Sequence, residues 1–400
     1  MKNYILNTIT LIALNIFMIQ AQVVWTQKSN HLGAARLAYA GFSINGKGYF
    51  GGGAYGGSFN AISEWQEFNP LLNSWNIITP MIYPFKGLTA FEIGGFGYVA
   101  NGVNTAFYNY DTFKYNQAGN NWSTLSSLVY PRLYSTSTAN GSKGFIIGGY
   151  GFSAEPLNDL WQYDPILDLW TEKDTLPLAA ARYNATSFSI DGNVYVFGGT
   201  NNLDYLNDLW KYDTTSGHWT QMTSLPGIGR QLSLAVVLNN EAYIIGGNPI
   251  SGPNLSEVWK YNANADSWFQ LADFPGVNTP FDGAAFVINN KGYIVPGNGT
   301  TECWEIDPGF NSILLNSEAE NLNIDVCPNP VVDKSTVLIS GKIGSRYSIE
   351  ILNSFGRIVY SQKTTNFEIC LNKGDFANGV YFIRVQNEKL SAKMFKFIVQ

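Results

Sequence analysis

Four arginines recur at related positions along the chain, and an arginine side chain is a natural partner for a carboxylate or a phosphate. Each lies thirteen positions ahead of an aromatic residue that precedes a glycine pair. The four are Arg36, Arg132, Arg182 and Arg230. Tyrosines follow these arginines or lie in nearby predicted loops, where they suit recognition of a sugar or a protein. The candidate ligand-binding tyrosines are Tyr39, Tyr134, Tyr183, Tyr55, Tyr150 and Tyr205.

A block of about 50 residues repeats along most of the chain. The aromatic residue before the glycines falls at positions 49, 98, 145, 195, 243 and 293. A Tyr-Asp or related pair recurs with a tryptophan seven residues after its aromatic residue, as in Tyr163, Asp164 and Trp170. Self-similarity at this period is typical of repeat architectures.

Each repeat predicts four short antiparallel strands. In one copy, suitable runs at 185–190, 194–197, 208–213 and 218–222 are separated by turn signals. Four-stranded units that repeat radially form a β-propeller. The sixth unit has no tryptophan strand of its own. We therefore expect Val23–Gln27 to pair with the strand of Trp304, which completes six blades and removes an open edge.

This pattern resembles the kelch family over residues 22–308. The glycine pair, the Tyr-Asp pair, the tryptophan and the arginine carry the resemblance. The second and sixth units depart from it, and carry Phe85-Lys86, Asn101-Gly102, Pro280-Phe281 and Pro296-Gly297. The resemblance implies an all-β chain: a six-bladed kelch-type β-propeller closed by an N-terminal strand, followed by a second small domain.

The arginines precede the innermost strands, and the tyrosine-bearing loops lie on the same face of the predicted propeller. Four guanidinium groups that converge on the central opening would suit a carboxylate, a phosphate or an acidic peptide. Alternatively, each arginine hydrogen-bonds the backbone of a neighbouring blade. The sequence leaves both interpretations open.

Catalytic constellations are few. Neither histidine, His31 or His218, has a second histidine or a cysteine at metal-ligand spacing. We therefore predict no metal site, no cofactor and no catalytic set. His218 is expected at the surface, and His31 is placed in a loop that could face the opening. Asp282 and Glu155 are the nearest candidates for an acid–base pair, and each is expected to be a solvated loop acid.

The first 21 residues are predicted to be a signal peptide. Lys2 precedes a mostly apolar run, Ile9 to Ile19, that is too short to span a bilayer. Ala21 is a small residue at a suitable cleavage point. The mature chain is expected to be exported and to contain no transmembrane segment.

Residues 325–400, after a predicted linker at 309–324, read as a small immunoglobulin-like β-sandwich. The Pro-Asn-Pro start at 328–330, a middle glycine, the Gly379-x-Tyr381 strand and the basic end resemble the C-terminal sorting domain of the type IX secretion system. That family usually has an aromatic residue where Cys327 stands. The resemblance implies handling by the type IX machinery, removal of this domain, and a final location outside the cell or on its surface.

Charge distinguishes the two parts. Residues 325–400 contain ten Lys or Arg and six Asp or Glu, so they carry +4. The whole chain carries −6, so residues 1–324 carry −10. An acidic propeller is a poor candidate for binding nucleic acid or an anionic membrane. Of the three cysteines, Cys327 and Cys370 are candidates for a disulfide in an exported protein.

Three functions remain open. The first is a non-catalytic binding module for a glycan or a protein, secreted or held at the cell surface. The second is an enzyme that resembles periplasmic N-acetylneuraminate epimerase, another six-bladed kelch propeller. The third is a structural surface-layer or adhesion component. The missing catalytic sets favour the first, although one propeller fold hosts many functions.

Overall fold

In the computed structural model the chain divides into two units. Residues 22–308 form one unit, and residues from Gly309 onward belong to the other. The described residues are 23–55, 60–297, 299–308, 323–327, 331, 333–340, 347–353, 357–364, 368–387 and 392–399. The predicted signal peptide and most of the predicted linker lie outside them. Within the described residues, no helix is long and apolar enough to cross a membrane.

Six four-stranded antiparallel sheets build the first unit. From the inner to the outer strand, blade 1 contains Ala40–Ile44, Lys47–Gly51, Trp65–Asn69 and Ser74–Ile78. Blade 2 contains Thr89–Ile93, Phe96–Ala100, Thr112–Asn116 and Asn121–Leu125. Blade 3 contains Thr136–Ala139, Gly144–Ile147, Leu160–Asp164 and Leu169–Glu172. Blade 4 contains Thr186–Ile190, Asn193–Phe197, Leu209–Asp213 and His218–Met222. Blade 5 contains Leu234–Leu238, Glu241–Ile245, Val258–Asn262 and Ser267–Gln270. Blade 6 contains Ala284–Ile288, Lys291–Val295, Cys303–Asp307 and Val24–Lys28. Each first strand contacts the first strand of the next blade, and the sixth contacts the first. The predicted six-bladed propeller is confirmed.

The N-terminal strand closes the ring, as predicted. Val24–Lys28 pairs antiparallel with Cys303–Asp307, and Gln27 lies opposite Trp304. The ring of Trp25 meets the ring of Phe274 edge-on at 5.1 Å between centroids. The outer edge of blade 6 is therefore supplied by the opposite end of the propeller sequence, which leaves no unpaired gap in the circle.

Tryptophans on the outer strands link neighbouring blades. In four blades the indole N–H donates to a backbone carbonyl at the end of the preceding blade, at 2.8 to 2.9 Å. The pairs are Trp75 with Ser29, Trp122 with Thr79, Trp219 with Asp174 and Trp268 with Thr223. Each such ring places a large apolar area between sheets and satisfies its polar atom, which explains why the repeat keeps this residue type.

Short elements lie outside the main sheets of the propeller. Three two-stranded ladders join the segment before an inner strand to the loop after the second strand of the same blade. They pair Arg36–Leu37 with Ala54–Tyr55, Arg132–Leu133 with Tyr150–Gly151, and Arg230–Gln231 with Asn248–Pro249. A 3-10 turn at Leu178–Ala180 precedes the inner strand of blade 4.

Two antiparallel sheets form the second unit. The three-stranded sheet contains Asn323–Cys327, Lys334–Ser340 and Glu368–Asn372, and the four-stranded sheet contains Ile358–Thr364, Tyr347–Asn353, Gly379–Asn387 and Ala392–Val399. A 3-10 turn spans Lys373–Asp375. Buried residues of both sheets, among them Val337, Ile351 and Phe397, form one core. This is the predicted small β-sandwich.

The strand register contradicts the Cys327–Cys370 disulfide. Both residues lie opposite Thr336 of the central strand, one on each side of it. Their backbones are therefore two strand spacings apart, roughly 9.6 Å, whereas bridged cysteines have Cα atoms within about 7 Å. Cys370 is a free, exposed thiol, and Cys303 is free and buried in blade 6.

Candidate functional site

Two kinds of connection meet on one face of the propeller, which we call the loop face. One kind joins the second strand of a blade to the third, and the other leads into the first strand. Because successive strands are antiparallel, both kinds lie at the same end of every sheet. The glycine pairs bind the blades together here: Gly149 N–H donates to the Arg182 carbonyl and Gly199 N–H to the Arg230 carbonyl, at 2.8 and 2.9 Å. Both glycines have positive φ, and a Cβ on Gly199 would lie 2.6 Å from the Tyr183 carbonyl oxygen.

Six residues, one from each blade, form what we call the axial ring at the centre of this face. All have φ between 53° and 66°. They are Ala38, Gly87, Tyr134, Asn184, Leu232 and Asp282. Five backbone hydrogen bonds of 2.8 to 3.2 Å join neighbouring members, including Ala38 N–H to the Asp282 carbonyl across the closure. The left-handed conformation turns each chain so that its amide reaches the preceding blade.

The four arginines do not converge on the opening. Their side chains have no exposed surface, and each forms an ion pair within its own blade. The carboxylate partners are Glu64, Asp159, Asp208 and Glu257, at 2.5 to 2.8 Å. Arg182 also donates to the carbonyls of Gly198 and Ala180. The arginine-ring hypothesis is therefore wrong. The alternative of bonds to a neighbouring blade is also wrong, because each arginine bonds a carboxylate and at least one backbone carbonyl of its own blade.

Ion pairing with arginine helps to keep the pKa below the ordinary value in Glu64, Asp208 and Glu257. Desolvation opposes ionisation of Asp208, but two hydrogen bonds from Arg182 and one from the Trp210 indole bring its pKa below the ordinary value. The same balance lowers the pKa of Glu257 beside Arg230. An ion pair with these partners leaves no guanidinium group for an acidic ligand.

The six candidate tyrosines differ in burial and in position. Tyr39 is buried, and its hydroxyl donates to the Val295 carbonyl at 2.8 Å, so it is unavailable to a ligand. Tyr55 is exposed on the loop face, and Tyr134 belongs to the axial ring. The other three are half-buried and come together in one group, the tyrosine cluster: Tyr150, Tyr183 and Tyr205.

The tyrosine cluster continues into a chain of amides. The rings of Tyr150 and Tyr183 meet edge-on at 4.9 Å. Desolvation raises the pKa of Tyr183, and Tyr150 and Tyr205 raise it further. The Tyr205 hydroxyl accepts a 2.8 Å hydrogen bond from Gln231 Nε2, and Gln231 Oε1 accepts one from Asn184. Aromatic faces next to oriented amides and hydroxyls suit a hydroxyl-rich or peptide-like ligand.

Exposed apolar side chains also lie on the loop face, and most of them were not predicted from the sequence. Fourteen exposed large hydrophobic residues lie in the loop-face connections. They are Leu32, Tyr55, Ile82, Tyr83, Phe107, Tyr110, Val129, Tyr130, Phe152, Leu178, Leu203, Ile228, Ile250 and Val277. They stand singly or in short runs within loops, as Ile82 and Tyr83 do, so no apolar period marked them in the sequence. Exposed apolar residues gathered on one face indicate an interaction surface.

The axial ring opens into a cavity of 180 Å³, which we call the axial cavity. Four consecutive residues from each blade line it, beginning at the ring residue. Asp282 is half-buried there, so the expectation that it is a solvated loop acid is wrong. Desolvation raises the pKa of Asp282 to about 7, although a hydrogen bond from the Ala38 backbone opposes the shift. Its charge in turn raises the pKa of Tyr134, after desolvation.

The remaining candidates lie elsewhere. Glu155 is exposed in a blade 3 loop, and no contact with Asp282 brings the two acids together as an acid–base pair. His31 is buried against Phe50 at 4.9 Å, so it does not face the opening. Desolvation lowers the pKa of His31. His218 is exposed beside Asp174, as expected.

The chain was compared with known proteins. The family model described as "KLHDC2/KLHL20/DRC7 Kelch-repeats domain" matches residues 87–298, and the model "Secretion system C-terminal sorting domain" matches residues 325–400. The solved structure titled "Structure of YjhT" is similar to the propeller at 14% identity with a TM-score of 0.58, and the match covers 70% of this chain and 96% of that chain. At this identity the likeness shows the fold alone. No curated protein shows significant similarity to the chain.

Proposed function

This chain belongs to the kelch-repeat family and is exported by way of its sorting domain; from that premise, we propose that its propeller is a binding module for a glycan. The loop face is the binding surface, with the tyrosine cluster and the adjoining amides at its centre. The observation that carries the proposal is the combination of exposed aromatic groups with fully neutralised arginines.

The chemistry of this face favours a sugar without acidic groups. Flat aromatic rings pack against the apolar faces of sugar rings, and the amides of Gln231 and Asn184 hold the Tyr205 ring in place through hydrogen bonds. The loop-face connections contain six bases and eleven acids, and four of the bases are the buried arginines. An acidic ligand would meet repulsion here instead of a free cation.

Affinity electrophoresis of the full chain through gels that contain neutral or acidic polysaccharides tests the proposal. We expect retention by at least one neutral or amine-bearing polysaccharide and none by acidic ones. The double variant Tyr150→Ala, Tyr205→Ala should weaken retention at least tenfold, about 1.4 kcal/mol, because it removes two of the aromatic surfaces.

Phe269→Ala is the matched control, because Phe269 is an exposed aromatic residue on the outer strand of blade 5, away from the loop face. It should leave retention unchanged. Retention that survives the double tyrosine variant, or retention by acidic polysaccharides alone, would reject the loop face as a glycan-binding surface.

A second candidate is an enzyme of the N-acetylneuraminate epimerase type, and the position of Asp282 is the observation that favours it. A carboxyl group with a pKa near 7 in a cavity is suited to proton transfer. The absence of a free cation in the cavity lining is unfavourable for an acidic sugar. Faster interconversion of sugar anomers by the full chain, abolished in Asp282→Asn, would establish this activity in place of simple binding.

A further inference from the structure

The axial cavity contains a carboxylate that nothing in its lining neutralises. Among the residues that line it, Asp282 is the only Asp, Glu, Lys, Arg or His. Blade 6 has Pro280 at the position where four other blades have the buried arginine, two residues before the axial ring. Blade 6 therefore lacks this guanidinium group, and its axial-ring residue, Asp282, has a carboxylate.

The rest of the axial channel offers no counter-cation either. A second cavity of 290 Å³ lies further along the same inner strands and shares Ala90, Ser137 and Ser187 with the first. Glu92 lines this second cavity, and the linings of both contain no Lys, Arg or His. Two acids in one channel with low-dielectric walls concentrate a negative potential along the axis.

Other residues of the lining offer hydrogen-bond acceptors. Asn184 lines the axial cavity, and its buried Oδ1 has no donor among the described residues, while its Nδ2 is committed to Gln231. Tyr134, from the blade opposite Asp282, adds a hydroxyl oxygen. A carboxylate accepts hydrogen bonds only, whereas an ammonium group donates three and accepts none. The lining therefore complements a ligand that is positively charged and rich in donors.

We propose that the axial cavity binds the protonated primary amine of an amino sugar, with the Asp282 carboxylate as its counter-ion and Tyr134 and Asn184 as additional acceptors. This rests on the proposed function, because the tyrosine cluster beside the cavity is the surface that would hold the sugar ring. A hydroxyl group would leave the Asp282 charge unpaired, and a carboxylate ligand would add a like charge. The net acidic loop face attracts the cation toward the centre.

Calorimetric titration of the full chain with butylammonium chloride, and with 1-butanol at the same ionic strength, tests the ammonium group at pH 8. We expect butylammonium to bind at least tenfold more tightly. Asp282→Asn should remove at least tenfold of that affinity, and it should fold, because asparagine readily adopts the left-handed conformation of this position. The matched control is Asp204→Asn, which removes an exposed acid from the same face and should leave the affinity unchanged.

Oligomers of glucosamine and of N-acetylglucosamine then test the sugar, since they share a backbone and differ in the charged amine. The glucosamine oligomer should bind at least tenfold more tightly to the native chain and equally to Asp282→Asn. Equal binding of both oligomers by the native chain, or an unchanged preference in Asp282→Asn, overturns the inference and leaves the tyrosine-dependent glycan binding standing. Tighter binding of Nα-acetyl-lysine than of glucosamine overturns the assignment of the amine to a sugar.

Discussion

The charge on Asp282 is unfavourable for the folded propeller, because water is partly excluded around this carboxylate and no cation lines the axial cavity. Its pKa rises from 3.8 to about 7 on folding, so the native state holds the proton more tightly than the unfolded chain does. The stability that this proton provides is complete below pH 4 and is lost as the pH rises through 7. The titratable groups around it, Tyr39 and Tyr134, stay neutral in this range because desolvation raises both of their pKa values.

Asp282→Asn should therefore raise the Tm of the full chain by a few degrees at pH 8 and much less at pH 5. The reason is that the amide carries no charge at either pH. Differential scanning calorimetry at both values measures the effect, and Asp204→Asn, in an exposed loop, gives the baseline for loss of one surface acid. A gain of equal size at the two pH values would show that the carboxylate is not desolvated in the native state.

At the scale of an element, the buried ion pair organises each complete blade. Arg182 connects the segment before the first strand to the end of the second strand, through the Gly198 carbonyl, and to the start of the third, through Asp208. Blades 2 and 6 replace this arginine with buried apolar residues, Phe85 and Pro280. A blade can therefore form without the pair, but in blade 4 Arg182 is the cation that neutralises the half-buried Asp208.

Arg182→Met should lower the free energy of unfolding by about 3 to 5 kcal/mol, because it leaves the half-buried Asp208 without its partner. The double variant Arg182→Met, Asp208→Asn should recover much of this loss, since the amide is neutral and still accepts a hydrogen bond from Trp210. Urea unfolding of the single and double variants completes the cycle. A double variant as unstable as Arg182→Met would mean that the arginine acts through its backbone contacts and not through the charge pair.

At the scale of the whole molecule, the two units carry opposite charges and have separate cores. Residues 22–308 carry −9 and the sorting domain +4, and each has buried clusters of its own. The sequence match at 325–400 connects the second unit with export. The export signal and the proposed ligand-binding face thus belong to different parts of the chain.

Deletion of residues 325–400 should prevent the propeller from reaching the cell surface or the medium in a host that has type IX secretion machinery. Immunoblotting of cell, surface and medium fractions measures the outcome. The control is Cys370→Ala, which removes the exposed free thiol and should leave export unchanged. Equal amounts of the truncated and full chains outside the host cell would contradict the role of this domain in export.

The repeat period, the glycine pairs, the tryptophans and the unpaired N-terminal strand together determined the fold from sequence alone. Such prediction works because each blade is a local unit whose strands follow one another, so spacing along the chain reports directly on structure. Even the degenerate pair Asn101-Gly102 keeps positive φ at both residues, since asparagine tolerates it. The sorting domain was also predicted from sequence, because its motifs occur in the expected order.

Which residues of the loop face are accessible to a ligand, and which are paired, was decided only by the tertiary structure. The arginines recur in the sequence, but the carboxylates that pair with them come at the start of the third strand, 26 to 28 residues away. The spacing of the arginines alone therefore did not exclude a ring of guanidinium groups around the axis. The axial position of Asp282 likewise depends on six blades meeting around one axis. Desolvation and charge pairing depend on surroundings that distant segments supply. For that reason the residue types of this face could be predicted from the sequence, but their protonation and pairing could not.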